Sequence, residues 1–327
     1  MRLLVTGGAG FIGSNFIRHV LGVTDDVTVT NLDLLTYAGC EASLADLDAE
    51  RHRLVVGDIA DADLVDRLVA EADAVVNFAA ETHVDRSIDG PAAFLRTNVT
   101  GAGVLFEAAR RHDVARFLHI STDEVYGSRD AGAFAETDAL EPNSPYSASK
   151  ASADLLARAY RETYGYPITV TRTTNNFGPY QYPEKVVPLF VTNLIDGRPV
   201  PLYGDGGNVR DWLHVVDNAE AQWRVLTEGT PGEVYNVGAG NEMSNRELTM
   251  AILPHFDAGE EMIEHVADRP GHDRRYAVDT TRIRALGWRP RHTFAQALEE
   301  TVEWYRRRED WWRPLQAAGA SRRRGTR

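Results

Sequence analysis

The sequence predicts an α/β fold, a doubly wound parallel sheet with a smaller, mixed α/β unit toward the C-terminus. Three observations predict it. Short, nearly continuous apolar runs alternate with helical stretches up to Arg172; a glycine-rich turn follows the first run at once; and the texture after Arg172 becomes turn-rich. Continuous apolar runs suit strands buried on both faces. Strand–helix alternation implies right-handed crossovers within one parallel sheet.

In chain order, Leu3–Thr6, Val27–Asn31, Leu54–Val56, Ala74–Phe78, Arg116–Ser121 and Ile168–Arg172 read as strands. Phe11–Leu21, Ala62–Glu71, Pro91–His112 and a stretch beginning near Tyr146 read as the helices between them. Segment 173–210 carries Asn-Asn-Phe-Gly-Pro, Tyr-Pro-Glu-Lys, Gly-Arg-Pro and Gly-Asp-Gly-Gly, and is expected to be irregular. A helix at Val216–Glu228 and a strand at Glu233–Val237 return to the sheet. Residues 1–172 with 211–237 are therefore expected to form one domain, and 173–210 with 238–312 a second. The polar, arginine-bearing end, 313–327, is expected to fray.

At roughly 150 residues per domain, a chain of 327 residues agrees with two units. A formal charge of −13 argues against a broad grip on nucleic-acid phosphates. No apolar run approaches the ~18 residues of a membrane span. Met1–Thr6 enters a strand directly, which predicts no signal peptide. Cys40 is the single cysteine, so neither an intrachain disulfide nor a multi-cysteine metal site is expected. These features predict a soluble cytoplasmic protein with no metal and no nucleic-acid or membrane partner. Of the 35 basic side chains, Lys150 and Lys185 alone are lysine. Where arginine serves as the general surface cation, a lysine marks a place for a compact ammonium with an adjustable pKa.

Leu3–Thr6 runs into Gly7-Gly8-Ala9-Gly10-Phe11-Ile12-Gly13 and then a helix. Strand, Gly-x-Gly-x-x-Gly turn and helix together form the Rossmann dinucleotide signature. The glycines permit a tight turn and close backbone approach, and the helix N-terminus offers N–H groups to a pyrophosphate. Asp33 lies at the end of the second strand, 20 residues beyond Gly13. A carboxylate there accepts from a ribose diol and repels a 2′-phosphate, which favours NAD over NADP.

Ser121-Thr122-Asp123-Glu124 follows the fifth strand, at the sheet's carboxyl edge. Tyr146 and Lys150 are spaced i,i+4 on one helix face. A lysine ammonium and a nicotinamide cation would both favour a phenolate, making Tyr146 a base for oxidising an alcohol. That oxidation needs no carboxylates. Asp123 and Glu124 therefore point to further proton transfers, with one group as acid and the other as base.

These motifs resemble the extended short-chain dehydrogenase/reductase superfamily and, within it, the dTDP-glucose 4,6-dehydratases. The resemblance runs through residues 6–14, 79–87, 122–127, 146–150, 175–180, 182–185, 210–212 and 268–273. It implies that tightly bound NAD, regenerated each turnover, oxidises carbon 4 with Tyr146 as base and Thr122 on the same hydroxyl. Glu124 then takes the carbon 5 proton while Asp123 protonates the hydroxyl leaving carbon 6. It further implies cofactor contacts from Gly7, Gly10, Phe11, Ile12, Gly13, Asp33, Leu34, Thr36, Asp58, Ile59, Phe78, Ala79, Ala80, Thr82, Thr97, Tyr146, Lys150 and Asn176. The nucleotide sugar, dTDP-glucose, would meet Thr82, Thr122, Asn175, Lys185, Val186, Pro201, Tyr203, Arg210, Asn245, Arg269 and His272. Thr82 departs from the family's usual serine, keeping the hydroxyl and adding a methyl. A homodimer is implied, with helices Pro91–His112 and Tyr146–Tyr164 pairing across a twofold axis, although Ala148, Ala151, Leu155 and Ala159 suit packing on the sheet equally.

Two alternatives stay open: a 4-epimerase or decarboxylase of the same superfamily, in which Asp123–Glu124 would be idle, and a non-catalytic NAD-binding scaffold.

Overall fold

A computed structural model describes residues 1–268 and 273–325. Its strands, in chain order, are β1 (Arg2–Thr6), β2 (Thr28–Asp33), β3 (His52–Val56), β4 (Ala74–Asn77), β5 (Arg116–Thr122) and β6 (Ile168–Thr173), then β7 (Asn175–Phe177), β8 (Val200–Tyr203), β9 (Val209–His214), β10 (Val234–Val237), β11 (Glu242–Ser244) and β12 (Ile263–Val266). Seven of them form one sheet in the order β10-β6-β5-β4-β1-β2-β3, and every neighbouring pair is parallel. The strand order reverses between β1 and β4, so a crevice opens beyond their carboxyl ends.

Side chains alternate across the sheet. Leu3 and Val5 enter the core covered by helices Phe11–Val23 and Val215–Glu228, whereas Leu4 enters the opposite core under Ala62–Ala70, Ala102–Arg111 and Pro145–Tyr164. Each fully buried aliphatic side chain contributes about 1.5–3 kcal/mol. A third core, around Phe177, Trp212, Tyr305 and Trp312, holds the smaller sheets β11-β9-β7 and β12-β8.

Helix Pro145–Tyr164 has unambiguous ends. Ser144 and Ser147 form a capping box, Pro145 occupies the first turn, and Gly165 terminates the helix at φ +67°.

Three segments differ from the sequence expectation. The continuous helix expected at Pro91–His112 contains a π-helical stretch, Leu95–Gly101, between Ala92–Phe94 and Ala102–Arg111; such widened turns frequently mark functional sites. Segment 173–210 is not irregular, since it holds β7, helix Val186–Ile195, β8 and β9. That helix buries Val187, Pro188, Phe190, Val191 and Leu194, which leaves little amphipathic period to read; Pro188 lies in its first turn, where a missing N–H costs little. Finally, the end expected to fray after Trp312 is described as helix Glu309–Gly325, residues 326 and 327 lying outside the described residues. Arg313 pairs with Asp196 and Glu309, and Gln316 Nε2 donates to Thr192 Oγ1 at 2.8 Å.

Candidate active site

The carboxyl ends of β1, β4, β5 and β6 surround one cavity, and the glycine loop forms its floor. Gly7 has φ +72°, and a Cβ there would sit 2.5 Å from the Ala79 nitrogen; a Cβ on Gly13 would sit 2.4 Å from the Gly7 oxygen. Side chains cannot be accommodated at either position. β2 supplies the loop's anchors. Asn31 Oδ1 accepts from Gly8 N at 3.0 Å, and Asp33 Oδ2 from Ala9 N at 2.9 Å. Asp33 Oδ1 accepts from Leu35 N at 2.8 Å. Burial pushes the Asp33 carboxyl up, and these two backbone N–H groups oppose the shift.

Helix Phe11–Val23 begins at Gly10 without a side-chain cap or an acidic residue in its first turn. Its leading N–H groups therefore meet no competing carboxylate from their own turn. Gly10–Gly13 line the cavity, so the cradle suits a phosphate group.

Every residue expected to touch the cofactor lines this cavity: Gly7, Gly10, Phe11, Ile12, Gly13, Asp33, Leu34, Thr36, Asp58, Ile59, Phe78, Ala79, Ala80, Thr82, Thr97, Tyr146, Lys150 and Asn176. Thr97 reaches it from the π-helical stretch. The neighbouring Asn98 accepts from Glu81 N at 2.9 Å and donates to Glu81 O at 3.0 Å and Ser149 Oγ at 2.8 Å. The cavity wall is thereby tied to the helix carrying Tyr146.

Thr122, Asp123, Glu124, Tyr146 and Lys150 converge on the same cavity. Thr122 caps the 3-10 turn Asp123–Tyr126, accepting from Glu124 N at 3.3 Å, and its hydroxyl donates to Asp123 Oδ1 at 3.2 Å. Asp123 is 2% exposed, and its Oδ2 is buried without a partner. Burial, and after it the Glu124 charge, hold the Asp123 carboxyl well above the usual range despite Arg210. These surroundings favour the protonated form of Asp123.

Tyr146 and Lys150 need a correction. Lys150 Nζ donates to Ile120 O at 2.6 Å, so the ammonium is held by the end of β5. Burial and then Glu124 push the Tyr146 phenol above its ordinary range, opposed by the Thr122 hydroxyl. The protein's own groups therefore do not favour a phenolate here. Burial draws Lys150 down to about 8, with Asp154 opposing.

The expected substrate residues divide. Thr82, Thr122, Asn175 and Lys185 line the cavity, and Lys185 Nζ donates to Thr82 O at 3.2 Å. Val186, Pro201, Tyr203, Arg210 and Asn245 do not line it. Val186 begins the helix after Lys185, Pro201 and Tyr203 lie on β8, and Asn245 begins a helix after β11. Arg210 is buried on β9, donating to Asp273 O at 2.9 Å and stacking 4.2 Å over Tyr276. Arg269 and His272 lie outside the described residues.

Other cavity-lining residues are absent from the sequence expectation, among them Tyr37, Glu81 and Glu184. Arg86 stacks 3.6 Å over the Tyr37 ring and donates to Glu184 Oε2 at 3.1 Å, which joins three separate segments at the cavity. Glu81 and Glu184 stand inside the motifs that supply Thr82 and Lys185, so those motifs carried the available signal.

The sheet order, glycine loop and Tyr146–Lys150 pair define an extended short-chain dehydrogenase/reductase. The chain belongs to the family described as GDP-mannose 4,6 dehydratase, whose sequence profile matches residues 4–301. It is 56% identical to a dTDP-glucose 4,6-dehydratase of Streptomyces niveus over 323 residues, covering 97% of this chain and 96% of that protein. Among solved structures, it is similar to the dTDP-glucose 4,6-dehydratase DesIV of Streptomyces venezuelae with NAD and TYD bound. That similarity has a TM-score of 0.94 and 54% identity, covering 96% of this chain and 100% of that one. A UDP-glucose 4-epimerase of Thermotoga maritima, solved with UDP-glucose, shares the fold at a TM-score of 0.87 and 29% identity, covering 94% of this chain and 99% of that one.

Proposed function

We propose that this chain is a dTDP-glucose 4,6-dehydratase, converting dTDP-glucose to dTDP-4-keto-6-deoxyglucose and water with a tightly held NAD. The Asp123–Glu124 pair carries the assignment. A carboxyl whose burial favours its protonated form, with one oxygen unpartnered, stands beside a second carboxyl in the cavity that also holds Tyr146 and Lys150. An alcohol oxidation or an epimerisation has no use for such a pair; loss of water β to a ketone needs both an acid and a base. The strong similarity to named dTDP-glucose 4,6-dehydratases supports the same activity.

The glycine cradle, the uncapped helix start and Asp33 fit a dinucleotide. When bound, NAD supplies oxidising power for carbon 4, a reducing equivalent for carbon 6, and positive charge beside Tyr146. Tyr146, with Thr122 on the same hydroxyl, takes the proton from the carbon 4 oxygen. The resulting ketone acidifies the carbon 5 proton, which Glu124 removes. Asp123 gives its proton to the hydroxyl departing from carbon 6, so that water rather than hydroxide leaves, and Glu124 returns a proton to carbon 5 as carbon 6 is reduced. Lys150 maintains a cation behind Tyr146. The glycine loop would hold the cofactor's diphosphate, and Thr82, Asn175 and Lys185 the sugar diphosphate. The unit formed by 173–210 and 238–312 would take the nucleotide, through Val186, Pro201, Tyr203, Arg210, Asn245 and the undescribed Arg269 and His272.

The protein would work in the cytoplasm, where nucleotide sugars and NAD are available, and as a homodimer. Two observations support the dimer. Leu95 and Leu155 are each 54% exposed, and Ala148 and Ala159 are also exposed on the helix that bears Leu155. Ala151 packs inward instead.

The test uses dTDP-glucose deuterated at carbon 4, incubated with purified protein without added NAD and followed by mass spectrometry. The expected product is one water lighter and carries deuterium at carbon 6. An epimerised sugar of unchanged mass, or no reaction, would overturn the assignment.

A further inference from the structure

The two pairs of reacting groups stand on different elements. Tyr146 and Lys150 belong to helix Pro145–Tyr164, and Asp123 and Glu124 to the 3-10 turn Asp123–Tyr126. The chemistry proposed above needs both pairs placed around one sugar, so their relative position matters as much as that of each alone.

One buried side chain from a third element grips both. Arg172 on β6 is 6% exposed. Its Nε donates to Asp154 Oδ2 at 2.8 Å, and its Nη1 to Tyr126 Oη at 2.7 Å. Nη1 also reaches Glu136 O at 3.2 Å. Asp154 lies one helical turn beyond Lys150 and is itself buried. Tyr126 closes the turn that begins at Asp123. Its ring stacks on Phe134, with centroids 4.9 Å apart and planes within 7°, and its hydroxyl donates to Asn236 Oδ1 on β10 at 2.8 Å. Arg172, Asp154 and Tyr126 do not line the cavity, so their effect on substrate has to pass through the elements they hold.

We infer that Arg172 is a positioning residue: a strut whose one arm, through Asp154, places the Tyr146–Lys150 helix, and whose other arm, through Tyr126, places the Asp123–Glu124 turn. A buried ion pair adds little stability over well-packed apolar groups, and its best-attested use is to specify one arrangement. Hydrogen bonds to a guanidinium are directional, and Arg presents its donors as a rigid fork. Two adjacent donors aimed at two elements therefore fix both distance and angle between them. The catalytic consequence rests on the dehydratase assignment; the mechanical one does not.

The test compares Tyr126→Phe with Asp154→Asn in the full chain carrying NAD. Hydrogen–deuterium exchange at 123–126 and 146–150 reads the mechanical effect without substrate. Rapid quench with dTDP-glucose and mass spectrometry separates the 4-keto-glucose stage from the dehydrated product. Tyr126→Phe should speed exchange at the turn and not at the helix. It should also slow elimination about ten- to a hundredfold relative to oxidation, the scale expected of a misplacement near 1 Å. Asp154→Asn should show the opposite partition in both readouts. Because Tyr126→Phe deletes one oxygen and leaves the ion pair intact, it decides alone if Asp154→Asn does not fold. Equal slowing of both stages, or exchange that rises equally at both segments or at neither, overturns the strut. Wild-type protein that releases no water overturns the dehydratase assignment instead, and the exchange pattern then decides the strut.

Discussion

Asp123 and Glu124 are chain neighbours in unequal surroundings: Asp123 is buried and Glu124 half-buried, and the Glu124 charge ranks second only to burial in holding the Asp123 proton. In the proposed mechanism the base thus helps keep its partner an acid. Glu124→Gln should remove the base and lower the Asp123 pKa together. Elimination should slow by about 10²–10⁴, while oxidation at carbon 4 continues and a 4-keto-glucose species accumulates, visible by quenched-reaction mass spectrometry. Loss of oxidation with elimination untouched would reverse the roles assigned to these groups.

Tyr146→Phe removes a buried hydroxyl at the cavity and no packing atoms. Oxidation should fall by about 10²–10⁴ with the thermal midpoint nearly unchanged, as read by steady-state turnover and calorimetry. A near-normal rate would rule out Tyr146 as the base.

Lys150, drawn down to about 8 by burial, predicts opposite pH trends for rate and stability. The oxidation step should decline on the alkaline side with an apparent pKa near 8, as the ammonium is lost, and Lys150→Met should be slow and lack that limb. The unfolded lysine titrates near 10.5. Between about 8 and 10.5 the unfolded chain therefore binds more protons, and this group's contribution to stability rises with pH. Single-turnover rates and denaturant midpoints across pH 7–10 check both signs.

His214 is buried with both ring nitrogens unpartnered, its ring 4.5 Å from that of His292. Burial, and then His292, lower its pKa from 6.5 to about 4. Its unfolded form binds the extra proton below about 6.5, so stability should fall as pH drops from 6.5 toward 4. His214→Phe should flatten that decline, measured as Tm at pH 5 against pH 8. An unchanged slope would place the acid sensitivity elsewhere.

What the sequence makes legible is what local chemistry dictates. The glycine loop must be glycine because a Cβ on Gly7 would strike Ala79, and the i,i+4 spacing puts Tyr146 and Lys150 on one face whatever surrounds the helix. Tyr37 and Glu184 meet at the cavity across distant segments, joined by Arg86 and by the Tyr37–Tyr182 ring contact, and such contacts have no sequence period. Helix Val186–Ile195 hides for a related reason: buried on most sides, it has little polar face to set its rhythm. The direction of the Lys150 ammonium, toward Ile120 O, depends on the sheet beneath and not on spacing along the helix.

Lys150 and Lys185, the chain's two lysines, both line the cavity. Guanidinium groups stay protonated and inert toward amine-directed acylating reagents at ordinary pH. Apart from the N-terminus, every primary amine of this protein thus lies in one crevice, and such a reagent becomes a site-directed probe without any engineering. Protection of Lys185 from labelling would then report occupancy of the crevice directly, in a mixture of ligands and with no turnover at all.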